Sequence, residues 1–172
     1  MSRSRQIYYP ITDRRKRALG FAVLTFVLAG CLAVVLKTVL IEYKPPALEK
    51  ESHKGSPQVE EKYLYREIET DFGYSFGIAA NLFRLEDGSI DICFTNPASN
   101  TVSIRCEVTD AETGKLYFQS GRLEPGTYVM NLPALTEPDG VKHEVYAKIY
   151  AFLPKDYTSA GTTTLHLTLQ PW

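Results

Sequence analysis

Apolar residues form one continuous run near the start of the chain. No charged residue interrupts the stretch Ala18–Leu36, and beyond Lys37 the apolar character resumes at 39–41. At about 1.5 Å per residue, such a stretch makes a helix of roughly 28 Å, which matches the hydrocarbon core of a bilayer. The pattern therefore predicts a transmembrane helix over 18–41, which two prolines at 45–46 bring to an end.

A different pattern, with apolar residues at every second position, runs through the second half of the chain. Turn sequences such as 86–88, 112–114 and 124–126 separate the alternating runs from one another. The strands predicted from these runs are Ser75–Phe83, Ser89–Thr95, Thr101–Asp110, Leu116–Ser120, Thr127–Leu132, Lys142–Phe152 and Thr162–Gln170. Since no run shows a helical period, we expect an all-β domain.

About seven strands within roughly 100 residues are typical of an immunoglobulin-like (Ig-like) antiparallel β-sandwich. We expect one such head over 63–172, with a short barrel as the alternative architecture. The aromatic segment that begins at Tyr63 and Tyr65 fits a strand, but an acidic helical turn over 58–65 fits equally well.

The segment between the predicted helix and the head, 42–62, is rich in proline and charge and poor in large apolar side chains. A segment of this composition buries too little surface to offset the entropy lost on ordering. The sequence therefore predicts a flexible extracytoplasmic linker.

Four adjacent basic residues, Arg14, Arg15, Lys16 and Arg17, precede the apolar run. Basic residues next to a transmembrane helix remain on the cytoplasmic side of the membrane. We therefore expect a cytoplasmic tail over 1–17, a single-pass protein of the cell membrane, and an extracytoplasmic C-terminal domain.

Two processing motifs leave the fate of the N-terminus open. The tetrapeptide 28–31 ends in Cys31 and matches the lipobox of bacterial lipoproteins, although the apolar residues that follow it are atypical of a mature lipoprotein. The junction 17–21 is similar to that of type IV prepilins, but Thr25 stands where those proteins carry an acidic residue. Lipidation of Cys31 and a pilin-like surface subunit are both alternatives to a simple anchor.

The head contains two cysteines, Cys93 and Cys106. A hairpin turning at 96–100 would place Cys93 opposite Ser103, and alternation puts Cys93 on the polar face of its strand but Cys106 on the apolar face of the next. Two thiols on opposite faces cannot be bridged without a bulge, so unpaired thiols are favoured over a disulfide.

Charge and motif content exclude several kinds of function. Residues 1–17 carry a formal charge of +5 and the rest of the chain −6, so the body cannot neutralise a phosphate backbone and nucleic-acid binding is disfavoured. The three histidines, His53, His143 and His166, have no metal-ligand spacing, and no nucleophile motif or phosphate-binding glycine loop is present. We therefore expect no enzymatic activity, no catalytic or metal-binding residues and no cofactor. The carboxylates at 67, 69 and 71 fit a solvated strand edge.

Tyrosines mark the candidate binding surface of the head. Tyr146 and Tyr150 alternate with Val145, Ala147 and Ile149, so we expect them on the face turned away from the core. Tyr128 is a further candidate for the same surface. Tyrosine offers a large rigid surface with a polar tip, which suits recognition of a protein or a glycan. The same side chains also serve simply to cover the second side of a sheet.

Two short motifs support a resemblance. The strand end Phe94-Thr95-Asn96-Pro97 and the later segment 120–126, Ser-Gly-Arg-Leu-Glu-Pro-Gly, are similar to turns of small membrane-anchored Ig-like envelope proteins of Gram-positive bacteria. The resemblance covers about 75–170 and implies an accessory component of a surface or secretion structure, without catalytic residues. These motifs mark a fold and not an activity.

Together these features predict a non-enzymatic bitopic membrane protein. Its Ig-like head is expected to bind other envelope proteins or to support a surface or secretion assembly, and a homo-oligomer is compatible with that role. The alternatives are the lipoprotein, the pilin-like subunit and an exported glycan-binding module.

Overall fold

The chain divides into two compact units, 1–43 and 44–172. The computed structural model describes residues 45–136 and 139–171 of the second unit and Gly30 of the first. Apart from Gly30, the predicted transmembrane segment 18–41 therefore lies outside the described residues, as do Arg14, Arg15, Lys16, Arg17 and Cys31.

Strands dominate the second unit, as the alternating pattern predicts. The structure shows β1 (His53–Lys54), β2 (Tyr65–Glu69), β3 (Ser75–Ala79), β4 (Asn81–Arg84), β5 (Ile90–Asn96), β6 (Ser103–Asp110), β7 (Leu116–Gln119), β8 (Thr127–Leu132), β9 (His143–Phe152) and β10 (Ser159–Gln170). A single 3-10 turn, Glu61–Tyr63, precedes β2. The all-β prediction is confirmed, and the segment around 58–65 contains both a helical turn and the beginning of a strand.

The strands form one curled, mixed sheet. Its order is β1-β8-β5-β4-β10-β9-β6-β7, and β3 joins β2 to β5 at the side. Among the strands just given, all pairings are antiparallel except that of β4 with β10, which brings Leu82 opposite Leu169 in parallel register. The purely antiparallel arrangement expected from the sequence is therefore wrong at this one pairing.

The predicted strand 75–83 is divided in two at Ala80. The backbone N–H of Ala80 donates to the carbonyl oxygen of Tyr63, at 3.1 Å, in the 3-10 turn. On one side of this break β3 pairs with β2, and on the other β4 pairs with β10, while β5 contacts both. The chain therefore exchanges β2 for β10 as its pairing partner at Ala80, where the strand is interrupted.

The predicted hairpin between β5 and β6 is wrong. β5 pairs with β8, β4 and β3, whereas β6 pairs with β9 and β7. Cys93 is therefore not opposite Ser103, which pairs with Phe152 instead. The turn at 96–100 carries the chain from one side of the sheet order to the other, and a period-2 pattern contains no signal for that.

One contiguous core holds the strands together. Alternate residues of β6 and β9 are buried, including Ile104, Val108, Val145 and Ile149, as the alternating pattern predicts. The central strand β5 differs because all seven of its residues are buried. The assignment of Cys93 to a polar face is consequently wrong: this residue is fully buried, with φ of 50°, where the pairing of β5 with β8 shifts between Asp91 and Phe94.

The described part of the expected linker is attached to the sheet. The Arg122 N–H donates to the carbonyl of Ala47 at 2.8 Å, and the Glu49 N–H donates to the carbonyl of Arg122 at 3.0 Å. Further along, His53 pairs with Tyr128 in the short ladder of β1 with β8. The structure differs here from the prediction of a free linker over 42–62, because backbone hydrogen bonds hold a segment that has few apolar side chains.

Candidate interaction surface

The side of β6, β9 and β10 turned away from the core is the surface on which the sequence placed Tyr146 and Tyr150. We call it the outer face. Cross-strand pairing arranges its side chains in rows: Arg105 and Thr162 flank Tyr150, and Thr109 and His166 flank Tyr146. Between these rows, Glu107 and Thr164 flank Lys148. Register, and not sequence proximity, gathers these groups.

Tyr150 is held within a charged network. Its hydroxyl donates to Glu107 Oε2 at 2.7 Å, and Glu107 also forms a salt bridge with Arg105. The Arg105 guanidinium lies 5.5 Å from the Tyr150 ring centre and the Lys148 ammonium 5.2 Å from it. Burial, followed by the hydrogen bond to the Glu107 carboxylate, raises the pKa of Tyr150 to about 12. The phenol therefore stays neutral and fixed at physiological pH.

Tyr146 is the more accessible of the two tyrosines. Its side chain is 43% exposed, and its ring lies 5.4 Å from the ring of His166. His166 Nε2 is 3.5 Å from Glu144 Oε2, and Glu144 also forms a salt bridge of 3.2 Å with Lys142. This end of the outer face thus combines an exposed aromatic pair with an ion-paired carboxylate.

The outer face combines several kinds of side-chain group that are found at recognition surfaces. An exposed tyrosine, a neighbouring histidine ring tilted by 46° and paired charges offer apolar area, hydrogen bonds and cation–π contacts, which are the means of protein recognition. Nucleophilic catalysis would require an activated nucleophile beside a base. The Tyr150 hydroxyl does donate to the Glu107 carboxylate, but the raised pKa of Tyr150 keeps the proton on the phenol.

Tyr128, the third tyrosine of the sequence prediction, lies on a different part of the sheet. It is on β8, which β5, β4 and β10 separate from β9 in the strand order. Its ring is 5.5 Å from that of His53 on β1. The structure therefore brings Tyr146 and Tyr150 together but not Tyr128.

A second polar cluster surrounds Asp110 at the end of β6. The carboxylate accepts hydrogen bonds from Thr113, from Tyr117 Oη at 3.1 Å and from His143 Nδ1 at 3.2 Å. The hydrogen bonds from Thr113, first among them that of its side chain, and from Tyr117 hold the pKa of Asp110 well below its usual range. Burial together with Asp110 raises the pKa of Tyr117 to about 12.

The sequence pattern does not reveal this cluster, because its members come from β6, the turn after it, β7 and β9. The one local signal was the turn Asp110–Gly114, in which an aspartate caps its own turn. His143 Nε2 also contacts Asp139 Oδ1 at 2.6 Å, so both imidazole nitrogens are engaged. With every strong donor already satisfied, the cluster is a structural connection of strand ends.

The carboxylates at 67 and 69 lie on the exposed side of β2, and Asp71 lies in the exposed turn after it. Nowhere in 45–136 or 139–171 do three or more histidine, cysteine or acidic side chains come together in a way that could hold a metal ion. Within the part of the chain that the structure describes, no helix is both long and apolar enough to cross a bilayer.

Comparison with known proteins gives no further information on the fold or the function. No family model, no curated protein and no solved structure matches this chain.

Proposed function

We propose that this chain is a non-enzymatic, membrane-anchored recognition protein, and that its strand domain binds another envelope protein through the outer face. The observation that carries the proposal is the cross-strand array of Tyr150, Lys148 and Tyr146 with Arg105 and His166 on one side of three adjacent strands. Aromatic and arginine side chains are enriched at protein interfaces, where tyrosine combines contact area with hydrogen bonding.

Preorganisation supports this role. Tyr150 and Glu107 are already joined at 2.7 Å, and two cations flank the Tyr150 ring. A partner would meet side chains that have already lost much of their rotamer freedom, which lowers the entropic cost of binding. Tyr146, by contrast, remains accessible as an aromatic anchor.

The architecture we propose for the head is an Ig-like β-sandwich. The curled sheet supports it in two ways: consecutive strands β5 and β6 do not pair, and the chain changes neighbours at Ala80 so that β4 runs parallel to β10. Strands that cross between layers and an edge strand shared by both layers are features of such sandwiches. The single core cluster is consistent with two layers facing each other.

The membrane anchor is part of the proposal and rests on the sequence alone. The apolar run 18–41 and the basic cluster Arg14, Arg15, Lys16 and Arg17 support an N-terminus in the cytoplasm and a head outside it. Protease added to intact protoplasts should then cleave the head and leave the basic tail protected. Cleavage of the tail first would contradict this topology.

Site-specific photo-crosslinking in intact cells tests the binding surface. A photoreactive side chain replaces Lys148, at the centre of the outer face, in the full chain; a matched variant carries it at Glu67 on β2. We expect one discrete heterologous adduct from position 148 that weakens when Tyr146→Ala is added. Equal adducts from both positions, or none from 148, would contradict the proposal.

A glycan array with the detergent-solubilised full chain covers the alternative exported module. If the chain binds a glycan and Tyr146→Ala abolishes that binding, the partner of the outer face is a carbohydrate and not a protein. Absence of any glycan binding, together with the adduct at 148, would leave the protein partner supported.

A further inference from the structure

The edge of β10 is paired over only part of its length. β9 covers one side of the strand along nearly its whole extent, from Ser159 to Leu169. On the other side, β4 pairs only with 168–170. Among the residues that the structure describes, no strand pairs with the 162–167 edge, so the backbone donors and acceptors of alternate residues there face outward.

The open stretch itself carries none of the residues that protect other edges. Its sequence, Thr162-Thr163-Thr164-Leu165-His166-Leu167, contains no proline and no acidic, lysine or arginine residue. The edge strand β2 carries Arg66, Glu67 and Glu69, and the edge strand β7 is short and bridged at Phe118 by Ala134. Charges, short length and covering loops are the usual means of preventing edge-to-edge pairing.

The apolar residues beside the open edge are incompletely covered. Leu167 and Leu169, next to β4, are buried, whereas Leu165 is only half-buried. Leu165 lines a recess of about 150 Å³ together with Ile68, Ile78 and Arg66. Burial of Leu165 therefore declines where pairing with β4 ends.

We propose that a second copy of this chain pairs with the open edge, as an antiparallel two-fold β10–β10 contact centred on Leu165. In this register the two Leu165 side chains meet at the axis, and Thr164 of each copy faces His166 of the other. The hydroxyl of Thr164 and the imidazole of His166 can form a hydrogen bond, and no like charges face each other.

Two-fold symmetry restricts the possible registers of this contact, and Leu165 is the middle one of the three inward-facing residues, 163, 165 and 167, of the open stretch. A continuous sheet requires inward side chains to face inward ones, so the axis must pass through a residue and not between two. An axis at Leu165 uses 163–167, the open stretch that follows the irregular pairing at Ser159 and Gly161. The β9–β10 ladder would then continue into its symmetry mate, which joins two outer faces into one surface.

Cysteine cross-linking of the full chain in membranes tests this contact. In a Cys31→Ser background, Leu165→Cys is compared with Gln119→Cys on β7 and Glu67→Cys on β2 under mild oxidation. We expect covalent dimer from position 165 at least about fivefold above either control, because Cβ atoms of directly opposed strand residues lie within disulfide reach. Equal yields at the three positions, or no dimer from 165, would overturn the proposal.

A charge exchange checks the register independently of stability. In the Leu165→Cys background, T164K/H166K places lysine against lysine across the axis, and T164K/H166E places lysine against glutamate. We expect dimer yield to fall about tenfold in the first variant relative to the second. Within one chain, Glu144 attracts a lysine at 166 and repels a glutamate, so it stabilises T164K/H166K more than T164K/H166E. A lower dimer yield of T164K/H166K would therefore not be caused by a less stable domain. Equal yields, or a higher yield for T164K/H166K, would exclude the contact. Because both variants replace His166 of the outer face, the outer-face partner is tested separately, by the crosslink at position 148.

Discussion

The side-chain nitrogen of Asn96 donates a hydrogen bond of 2.9 Å to the carbonyl oxygen of Leu123, across the corner where the chain leaves β5 for β6. The same nitrogen donates to the carbonyl of Val102, also at 2.9 Å, and Asn96 Oδ1 accepts from Asn100. Asn96 has no exposed surface. The buried side-chain amide of Asn96 therefore stabilises the corner between β5 and β6, where the alternating sequence pattern predicts a simple hairpin.

Asn96→Ala should lower the free energy of unfolding by about 2–3 kcal/mol, because the Val102 carbonyl and the Asn100 side chain lose a buried partner. Ser99→Ala in the same exposed turn is the matched control and should change stability by less than about 0.5 kcal/mol. Urea-dependent proteolysis of the full chain measures both variants. Equal unfolding midpoints would mean that Asn96 does not hold the corner.

Asp110→Asn should remove a stabilisation that depends on pH. The folded-state pKa of Asp110 is depressed, so its contribution is complete above the unfolded-state pKa of about 3.9 and declines as pH falls through the folded-state pKa. The variant should therefore be less stable than the original chain at pH 7, and the difference should shrink towards pH 3. Asp71→Asn, in an exposed turn, is the control; a difference that is constant with pH would contradict the prediction.

Tyr150→Phe and Glu107→Gln should be energetically coupled. A double-mutant cycle is expected to give a coupling free energy of about 1–2 kcal/mol at pH 7, because the hydrogen bond has a charged acceptor. Since the pKa of Tyr150 is raised to about 12, its contribution is complete below pH 10 and is lost as pH rises towards 12. Additive effects of the two substitutions would show that the contact contributes nothing.

The thiols of Cys93 and Cys106 should not react while the domain is folded. Both are free and fully buried, and burial raises the pKa of the Cys93 thiol to about 11 and that of Cys106 further in the same direction. In a Cys31→Ser background, a thiol reagent at pH 8 should label neither residue until urea unfolds the chain, and then both. Absence of labelling after unfolding without reductant would indicate a disulfide.

Gly121→Ala should release the 47–51 segment from the sheet. A Cβ atom at Gly121 would lie 2.6 Å from the backbone Cα and N of Glu49, too close for the present contact. Faster amide exchange at Glu49 and Arg122 is expected, with the core strands unchanged. Gly140→Ala, where a Cβ meets nothing within 4 Å, is the control. Unchanged exchange at Glu49 would show that the attachment tolerates the added methyl group.

The sequence predicts a strand well where one face of the strand is buried and the other is exposed to solvent. On β9, Val145 and Ile149 alternate with Tyr146 and Lys148, and the observed strand begins one residue after the predicted one. The same reasoning failed on β5, because a strand buried on both faces has no polar side for Cys93 to occupy. On the outer face, Tyr146 and Tyr150 were predictable from that alternation. Arg105 and His166 were not predictable as their neighbours, because they come next to the tyrosines only through the pairing of β6 and β10 with β9.

By itself, the sequence determined the local character of the chain: a continuous apolar run, a basic flank, an all-β domain and the positions of most strands. Periodicity reports the surroundings of each side chain, and those surroundings are set within a few residues. Only the tertiary structure decided which strands are neighbours, that β4 runs parallel to β10, that Ala47 and Glu49 bind Arg122, and that no strand of the described residues pairs with 162–167 on the second edge of β10. Those relations depend on backbone hydrogen bonds between distant segments, and every residue but proline offers the same backbone donor and acceptor.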